Sequence, residues 1–548
     1  MNFTQLTSSI NKKEWKFVFA IIILTIIVTT LPYVYGWLKA PEGKVSTGFH
    51  LLMSTDQPVY YSYISQASEG NLLFTNLFSS ETHDHDILNI IWLFPGTISR
   101  LFNISPQASF QISRICFIPI LLIISYLLIS YFFDDKRLRK LSLIFFTFAS
   151  GWGFYYMLFF IDKLANILVD GKYIWPADLW IIESFVFLMT YYSPHHIAAI
   201  ALILLIFLLM FLCLENNKRS YAIIAGILAL LLFSFHPFHI FSLFPIIFVI
   251  FTFQSIKEKR IVWKKYFNYI IFVAISSPII IYYNWFVNIN LNGQIKYLQN
   301  TCPTSTPFLL LIGYGFLLLL PIIGSIYLLY SKKLKDNKLS LLVIWLYAQL
   351  IIIYLPFVFQ RRMVQGMTFP MSLLTVYLLV LVYTSIKNKY RWLNNPVFII
   401  FVLIIMFFST PLVHIATDIM LFNRGDDIYY IDNSELKVFQ WLKTNTKDDE
   451  IIFSGKTSGN LIPGFSTRRV YNGHTVETIN SYIKENEANW FYSKNRDDVL
   501  EKDFLNLRNI DYVYYSFREK RLGDYNPVSK KYLFEIYSND DYFVYQVL

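Results

Sequence analysis

Charge is scarce in this chain. Asp, Glu, Lys and Arg make up only 15% of its 548 residues, against 55% hydrophobic and 19% aromatic, with a mean hydropathy of +0.45. That balance excludes a soluble protein with one large core, because apolar runs near bilayer-spanning length recur along most of the chain. Cysteine is scarcer still. Cys116, Cys213 and Cys302 lie far apart, with neither metal-ligand spacing nor a disulfide framework, which argues against redox chemistry. A cleavable leader is not expected either: Lys12, Lys13 and Lys16 lead into an apolar run from Phe17 to about Tyr35 that is too long for a signal h-region and lacks a small-x-small cleavage site, so it reads as an uncleaved first membrane helix. The middles of nearly all the apolar runs carry no charged residue. Ion-coupled transporters keep ionisable groups near the midplane, so a transport reading is weakened.

What is present is a repeated alternation of apolar run and basic cluster. The clusters at Lys12 to Lys16, Lys136 to Lys140, Lys218 and Arg219, Lys257 to Lys265, Lys332 to Lys338 and Lys387 to Arg391 can all be cytoplasmic at once, so the net charge of +10 reflects membrane topology and not nucleic-acid binding. Spans are expected near 17–35, 111–132, 141–161, 193–214, 221–235, 239–255, 266–284, 308–330, 339–358, 368–386 and 396–415, about eleven in all. The pair around His236-Pro237-Phe238-His239 is the shortest. An odd count places the N-terminus in the cytoplasm and the tail outside. From about Thr417 the composition turns polar, and its pattern predicts a small α/β domain: a helix over 434–444, a strand at 451–454, a turn or short helix near 459–465, a strand at 469–472, helix around 478–507, a strand at 512–516 and a closing hairpin over 532–547 turned by Asn539-Asp540-Asp541. The expected architecture is an α-helical polytopic protein of the plasma membrane. Residues 1–416 form its membrane domain, with outer loops 37–110 and 162–192, and residues 417–548 form an extracytoplasmic α/β domain.

Polar chemistry gathers at the expected outer side. The first outer loop holds Asp56 and Tyr60, then Glu81-Thr82-His83-Asp84-His85-Asp86; the next holds Asp162, Asp170, Asp178 and Glu183 and ends in Pro194-His195-His196; His236 and His239 and the pair Arg361-Arg362 follow. Each has a plain alternative. Asp56 stands where a residue capping a helix from Gln57-Pro58 would stand. Glu183 fits a helix start favoured by the macrodipole. His83 and His85 fit solvated loop polarity as well as metal ligation. His195 and His196 fit histidines satisfied by backbone, and His236 and His239 fit a turn. Arg361 and Arg362 fit snorkelling to headgroups, although paired arginines on the outer side run against the positive-inside tendency and so call for an anion.

With these stretches in view, the sequence resembles the GT-C class of polytopic glycosyltransferases, which includes protein mannosyltransferases and the aminoarabinose and RgtA-like transferases. The resemblance rests on Asp56 to Tyr60, Glu81 to His83, Trp180 to Phe187 followed by Pro194-His195, His236 to Phe238, Arg361-Arg362, Gly459 to Pro463 and the tail run Arg468 to His474. It implies an enzyme that takes a sugar from a polyprenyl-phosphate carrier at the outer membrane face and passes it to a protein, lipid or glycan acceptor. It also implies a general-base Asp in the first outer loop, which falls on Asp56, with Glu183 as a second catalytic candidate and Tyr60, Glu81, His83, His195, His196, His236, Arg361 and Arg362 as substrate contacts. Members of the class differ in whether they use a divalent metal; Glu81, His83 and His85 are the candidate ligands. The rival classes are a flippase of lipid-linked saccharides, which needs a polar path between helices, and a non-catalytic scaffold that binds a partner through its tail.

Overall fold

The computed structural model describes residues 2–81, 85–160, 168–169, 172–173, 175–331, 337–390 and 395–548. They form two compact units: Met1–Pro32 with Arg114–Tyr283 and Thr301–Ile419, and Tyr33–Ser113 with Asn284–Asn300 and Met420–Leu548.

The first unit is helical. Among the described residues, six helices are long and apolar enough to cross a membrane: Lys12–Leu38, Pro106–Phe132, Lys136–Phe160, Pro194–Asn216, Pro237–Lys257 and Thr368–Ile386. Three bent pairs, Trp263–Ser276 with Pro278–Asn288, Pro307–Tyr314 with Phe316–Tyr330 and Pro396–Phe407 with Ser409–Arg424, answer three further expected spans. The remaining two expected spans are the short helices Arg219–Phe233 and Asn337–Ile352. At 1.5 Å per residue such helices reach about 22–24 Å, less than the ~30 Å hydrocarbon core. The sharpest bend, 99° between Pro307–Tyr314 and Phe316–Tyr330, sits on Gly315. Its φ of +52° suits glycine, and a Cβ there would meet Trp152 Nε1 at 2.8 Å. Buried charge ties this unit together. Arg114 donates to the Thr29 and Thr30 hydroxyls, each at 2.9 Å, and to the Thr190 carbonyl at 2.8 Å, while Glu14 accepts from Tyr126 at 2.9 Å and pairs with Arg139 at 3.3 Å.

The second unit joins the first outer loop to the tail. A five-stranded sheet runs in the order Arg469–Val470, Ile451–Phe453, Tyr512–Tyr515, Tyr542–Val547, Leu533–Asn539, the first three parallel and the last two closing as an antiparallel hairpin. Asp540 takes the left-handed conformation in the hairpin turn, as its Asn-Asp-Asp context suggests. Helices Asn433–Asn445, Lys456–Ser466, Ser481–Ser493 and Asp498–Leu507 surround the sheet; the helical stretch expected over 478–507 is thus two helices. Phe453, Phe491, Tyr492, Leu505 and Val513 fill the core. From the first loop, Lys44–Ser46 pairs antiparallel with Tyr430–Asp432. The loop's helix Gln57–Ser68 lies against Lys456–Ser466 so closely that a Cβ on Gly464 would stand 2.9 Å from Pro58 Cα. Gly464→Ala is therefore expected to cost about 1–3 kcal/mol by overpacking, read as a lowered Tm of the detergent-solubilised protein, whereas an unchanged Tm would show that this contact has slack.

Candidate functional site

Asp56 opens the helix Gln57–Ser68, with Pro58 in its first turn, yet its side chain makes no capping hydrogen bond. Its own backbone is helical (φ −83°, ψ −29°), whereas a residue whose side chain caps a helix is typically extended. The carboxylate instead accepts a hydrogen bond: Oδ1 lies 3.0 Å from His474 Nε2. His474 Nδ1 accepts from the backbone N–H groups of Val476 and Glu477, each at 3.2 Å, so in the neutral ring the proton must be on Nε2, facing Asp56. The loop that carries His474 is itself anchored. Gln299 Nε2 donates to the Thr478 carbonyl at 2.9 Å and Asn76 Nδ2 to the Glu477 carbonyl at 2.7 Å. The Glu477 carboxylate pairs with Lys296 at 2.6 Å. Burial works against the charge on Lys296, but Glu477 and Tyr63 together hold its pKa above the ordinary lysine value. The Asp56 side chain remains 44% exposed while that of His474 is 8% exposed, an accessible carboxylate on a fixed donor.

The other candidates of the first loop have structural partners. Tyr60 packs in an aromatic triangle with Trp92 and Phe110, with centroids 4.7 and 6.2 Å away. Glu81 pairs with Lys484 at 2.9 Å and accepts from Ser79. His85 Nδ1 meets Thr75 Oγ1 at 2.9 Å. His83 lies outside the described residues, as do Asp162 and Asp170.

In the helical unit Glu183 is nearly fully buried, and one of its oxygens meets both Arg361 Nε at 3.3 Å and Arg362 Nη1 at 3.4 Å. Burial alone would push the Glu183 carboxyl up; the two guanidinium groups override it and hold the pKa below the usual range. Arg361 also stacks over Trp180, 4.5 Å from the ring centre. His195, His196 and His236 form a buried cluster whose ring centroids are 4.3 to 5.5 Å apart, within electrostatic reach of Arg362. Gln365, three residues beyond Arg362, ties it to the cluster: Oε1 meets His239 Nε2 at 2.9 Å and Nε2 donates to the His196 carbonyl at 2.9 Å. Nδ1 of His196 and Nδ1 of His236 are buried without a partner. The three rings offer nitrogens within 4.8 Å of one another, and this is the one group among the described residues placed to share a metal ion.

Sequence reasoning brought Glu183 and the two arginines into one region but missed two features. His474 was noted in a motif and given no role. The buried Asp178 accepts from Gly153 N–H at 3.0 Å and from Thr410 Oγ1 at 2.7 Å, and burial pushes its pKa up to about 7.

No protein-family model matches the sequence, and no curated protein matches it. Solved structures do. The oligosaccharyltransferase of Archaeoglobus fulgidus, in its complex with Zn and sulfate, superposes with a TM-score of 0.58 at 12% identity over 96% of this chain and 72% of that one. The same archaeal enzyme with an inhibitory peptide and a dolichol-phosphate gives 0.55 at 13% identity over 98% and 74%. ArnT of Cupriavidus metallidurans bound to undecaprenyl phosphate gives 0.50 at 8% identity over 96% and 98%. The fold is that of the GT-C glycosyltransferases. A chain of this fold thus holds both polar clusters, one around Asp56 and one around Glu183.

The Asp178 carboxyl carries a pH signature. Its pKa rises from an unfolded value near 3.8 to about 7, so folding retains a proton between those values, and the stability it contributes is full below pH 4 and lost as the pH passes 7. Wild-type Tm should therefore fall more steeply between pH 5 and 8 than that of Asp178→Asn. Parallel Tm profiles for the two proteins would contradict it.

Proposed function

We propose that this chain is a membrane glycosyltransferase that moves a sugar from a polyprenyl-phosphate-linked donor to an acceptor hydroxyl at the extracytoplasmic face. The observation that carries the reading is an uncapped, accessible Asp56 carboxylate held by His474 Nε2 in a chain of GT-C fold. Support for the donor class comes from the dolichol-phosphate of the archaeal enzyme and the undecaprenyl phosphate of ArnT. The alternating basic clusters support a cytoplasmic N-terminus, with residues 1–416 as the membrane domain and 417–548 as an extracytoplasmic domain.

In this reading Asp56 takes the proton of the acceptor hydroxyl as its oxygen attacks the anomeric carbon. The bond from that carbon to the phosphate oxygen breaks with its electron pair, so the configuration inverts and the carrier phosphate leaves. His474 is a positioning residue that fixes one Asp56 oxygen. In the helical unit, Arg361 and Arg362 are the candidate contacts for a carrier phosphate, with the buried histidines beside them as further contacts. Glu183, shared between both guanidinium groups, positions them; held ionised, it carries no proton to deliver. The first-loop metal candidates do not form a ligand set among the described residues, because Glu81 is neutralised by Lys484. The trio His195, His196 and His236 would be the place for a divalent metal, which would supply Lewis acidity to a phosphate oxygen. The charge of Arg362 beside it makes an anion the better occupant.

Asp56→Asn should abolish transfer, by a factor of about 10² to 10⁴, with Tm unchanged; wild-type turnover in that variant removes the mechanism. His474→Gln should leave an intermediate rate. Separately, mass spectrometry of lipid co-purifying with the protein should find a polyprenyl phosphate or its glycosylated form, and the double variant Arg361→Gln with Arg362→Gln should lose most of it. Equal lipid recovery from the double variant would place the phosphate elsewhere.

A further inference from the structure

The sheet-containing unit has a polar cavity of about 260 Å³, and its lining includes Arg469, Asp449, Asn71, Thr75 and His85. That volume equals the liquid share of about eight or nine waters, at ~30 Å³ each, enough for one sugar ring. Arg469 opens the edge strand Arg469–Val470 and is only 7% exposed. Among the described residues its guanidinium makes no ion pair, and its Nε is shielded from solvent with no hydrogen-bond partner. Burial works against its charge, so its pKa is lowered. A buried unpaired cation costs several kcal/mol unless a ligand compensates it.

The neighbouring acids do not compensate it. Asp448 is taken by Arg468 at 2.6 Å, Glu69 by Lys443 at 2.9 Å and Glu81 by Lys484 at 2.9 Å. Asp449 reaches Arg469 only through space, from an exposed position on the rim where solvent screens it. The wall opposite is rigid. Gln66 clamps Thr75 through both its amide atoms, at 2.8 and 3.0 Å, and Thr75 Oγ1 holds His85. Val470 N–H donates to the Leu77 carbonyl at 2.9 Å, fixing the strand that carries Arg469 against that wall. The Asn71 amide has no hydrogen-bond partner among the described residues and offers both a donor and an acceptor.

We propose that this cavity binds a carboxylate-bearing sugar, a uronic acid residue of a glycan. The buried guanidinium takes the carboxylate in a paired, charge-assisted contact, and Asn71 and Asp449 take ring hydroxyls. That the carboxylate sits on a sugar rests on the transferase reading; that the cavity takes a carboxylate does not.

The experiment is equilibrium binding to the full chain in detergent, by calorimetry or saturation-transfer NMR, with glucuronate, glucose and inorganic phosphate as probes. Glucuronate should bind at least tenfold tighter than glucose and tighter than phosphate. Arg469→Gln should remove that preference, and Arg469→Lys should restore part of it. Asn71→Ala, which leaves the buried charge untouched, serves as second variant if Arg469→Gln fails to fold, and should weaken glucuronate several-fold. Equal binding of glucuronate and glucose, a preference for phosphate, or unchanged glucuronate affinity in both Arg469→Gln and Asn71→Ala overturns the proposal. No turnover is needed, so Asp56→Asn should bind glucuronate like wild type whether or not the transferase reading stands.

Discussion

A proton on Nε2 of His474 is the constraint on which the chemistry of the first loop depends. Two backbone N–H groups aim at Nδ1, and protonating that nitrogen would break both bonds. The ring is therefore committed to donating on its other side, where Asp56 waits. Accepting that bond ties the Asp56 carboxylate to a fixed donor. What it gains is a fixed direction. The surroundings repeat the same economy of motion: Gln299, Asn76 and Lys296 each hold a group in the loop of His474, and none of them is left to point at solvent.

The helical unit solves the problem of charge in an apolar protein in three different ways. Arg114 donates to the Thr29 and Thr30 hydroxyls and the Thr190 carbonyl, contacts that fasten separate helices. Glu14 and Arg139 cancel each other. Glu183 meets two guanidinium groups with one carboxylate oxygen. The Glu14–Arg139 pair is a structural lock, and Glu183 fastens the turn that carries Arg361 and Arg362.

The legible part of this molecule was whatever depends on local pattern. Hydropathy located each of the expected apolar helices, and strand alternation in the tail located Ile451–Phe453, Tyr512–Tyr515 and the final hairpin to within a few residues. Arg361-Arg362 was legible because paired cations are misplaced where they stand. The illegible part was pairing at long range. Asp56 and His474 are 418 residues apart, and Glu81 and Lys484 are 403 apart. Asp56 reads locally as a cap and Glu81 as a ligand; only a distant partner decides that the first is uncapped and the second already neutralised. Bends were hidden for a related reason, since the break at Gly315 lies inside a continuous apolar run that hydropathy reads as one span.

The distribution of charge in the helical unit also bears on what kind of membrane protein this is. Among the described residues, Glu14 and Arg139 stand at the first turns of their helices, and Glu215 accepts from Tyr131 where two others end. His195, His196 and His239 stand at the first turns of Pro194–Asn216 and Pro237–Lys257, and Arg361 and Arg362 lie in the turn Gln360–Val364 that precedes Thr368–Ile386. Arg114 is about two turns into its helix, where it donates to the Thr29 and Thr30 hydroxyls and the Thr190 carbonyl. A carrier that moves a saccharide across the bilayer must offer polar partners through the apolar middle, because each unsatisfied hydroxyl there costs several kcal/mol. An enzyme whose donor arrives with its isoprenoid tail in lipid and its phosphate at the surface needs polar groups only at helix ends. Among the described residues, Glu14, Arg139, Glu215, Arg361 and Arg362 stand at helix ends or turns, while His414 and Asp418 lie inside Ser409–Arg424.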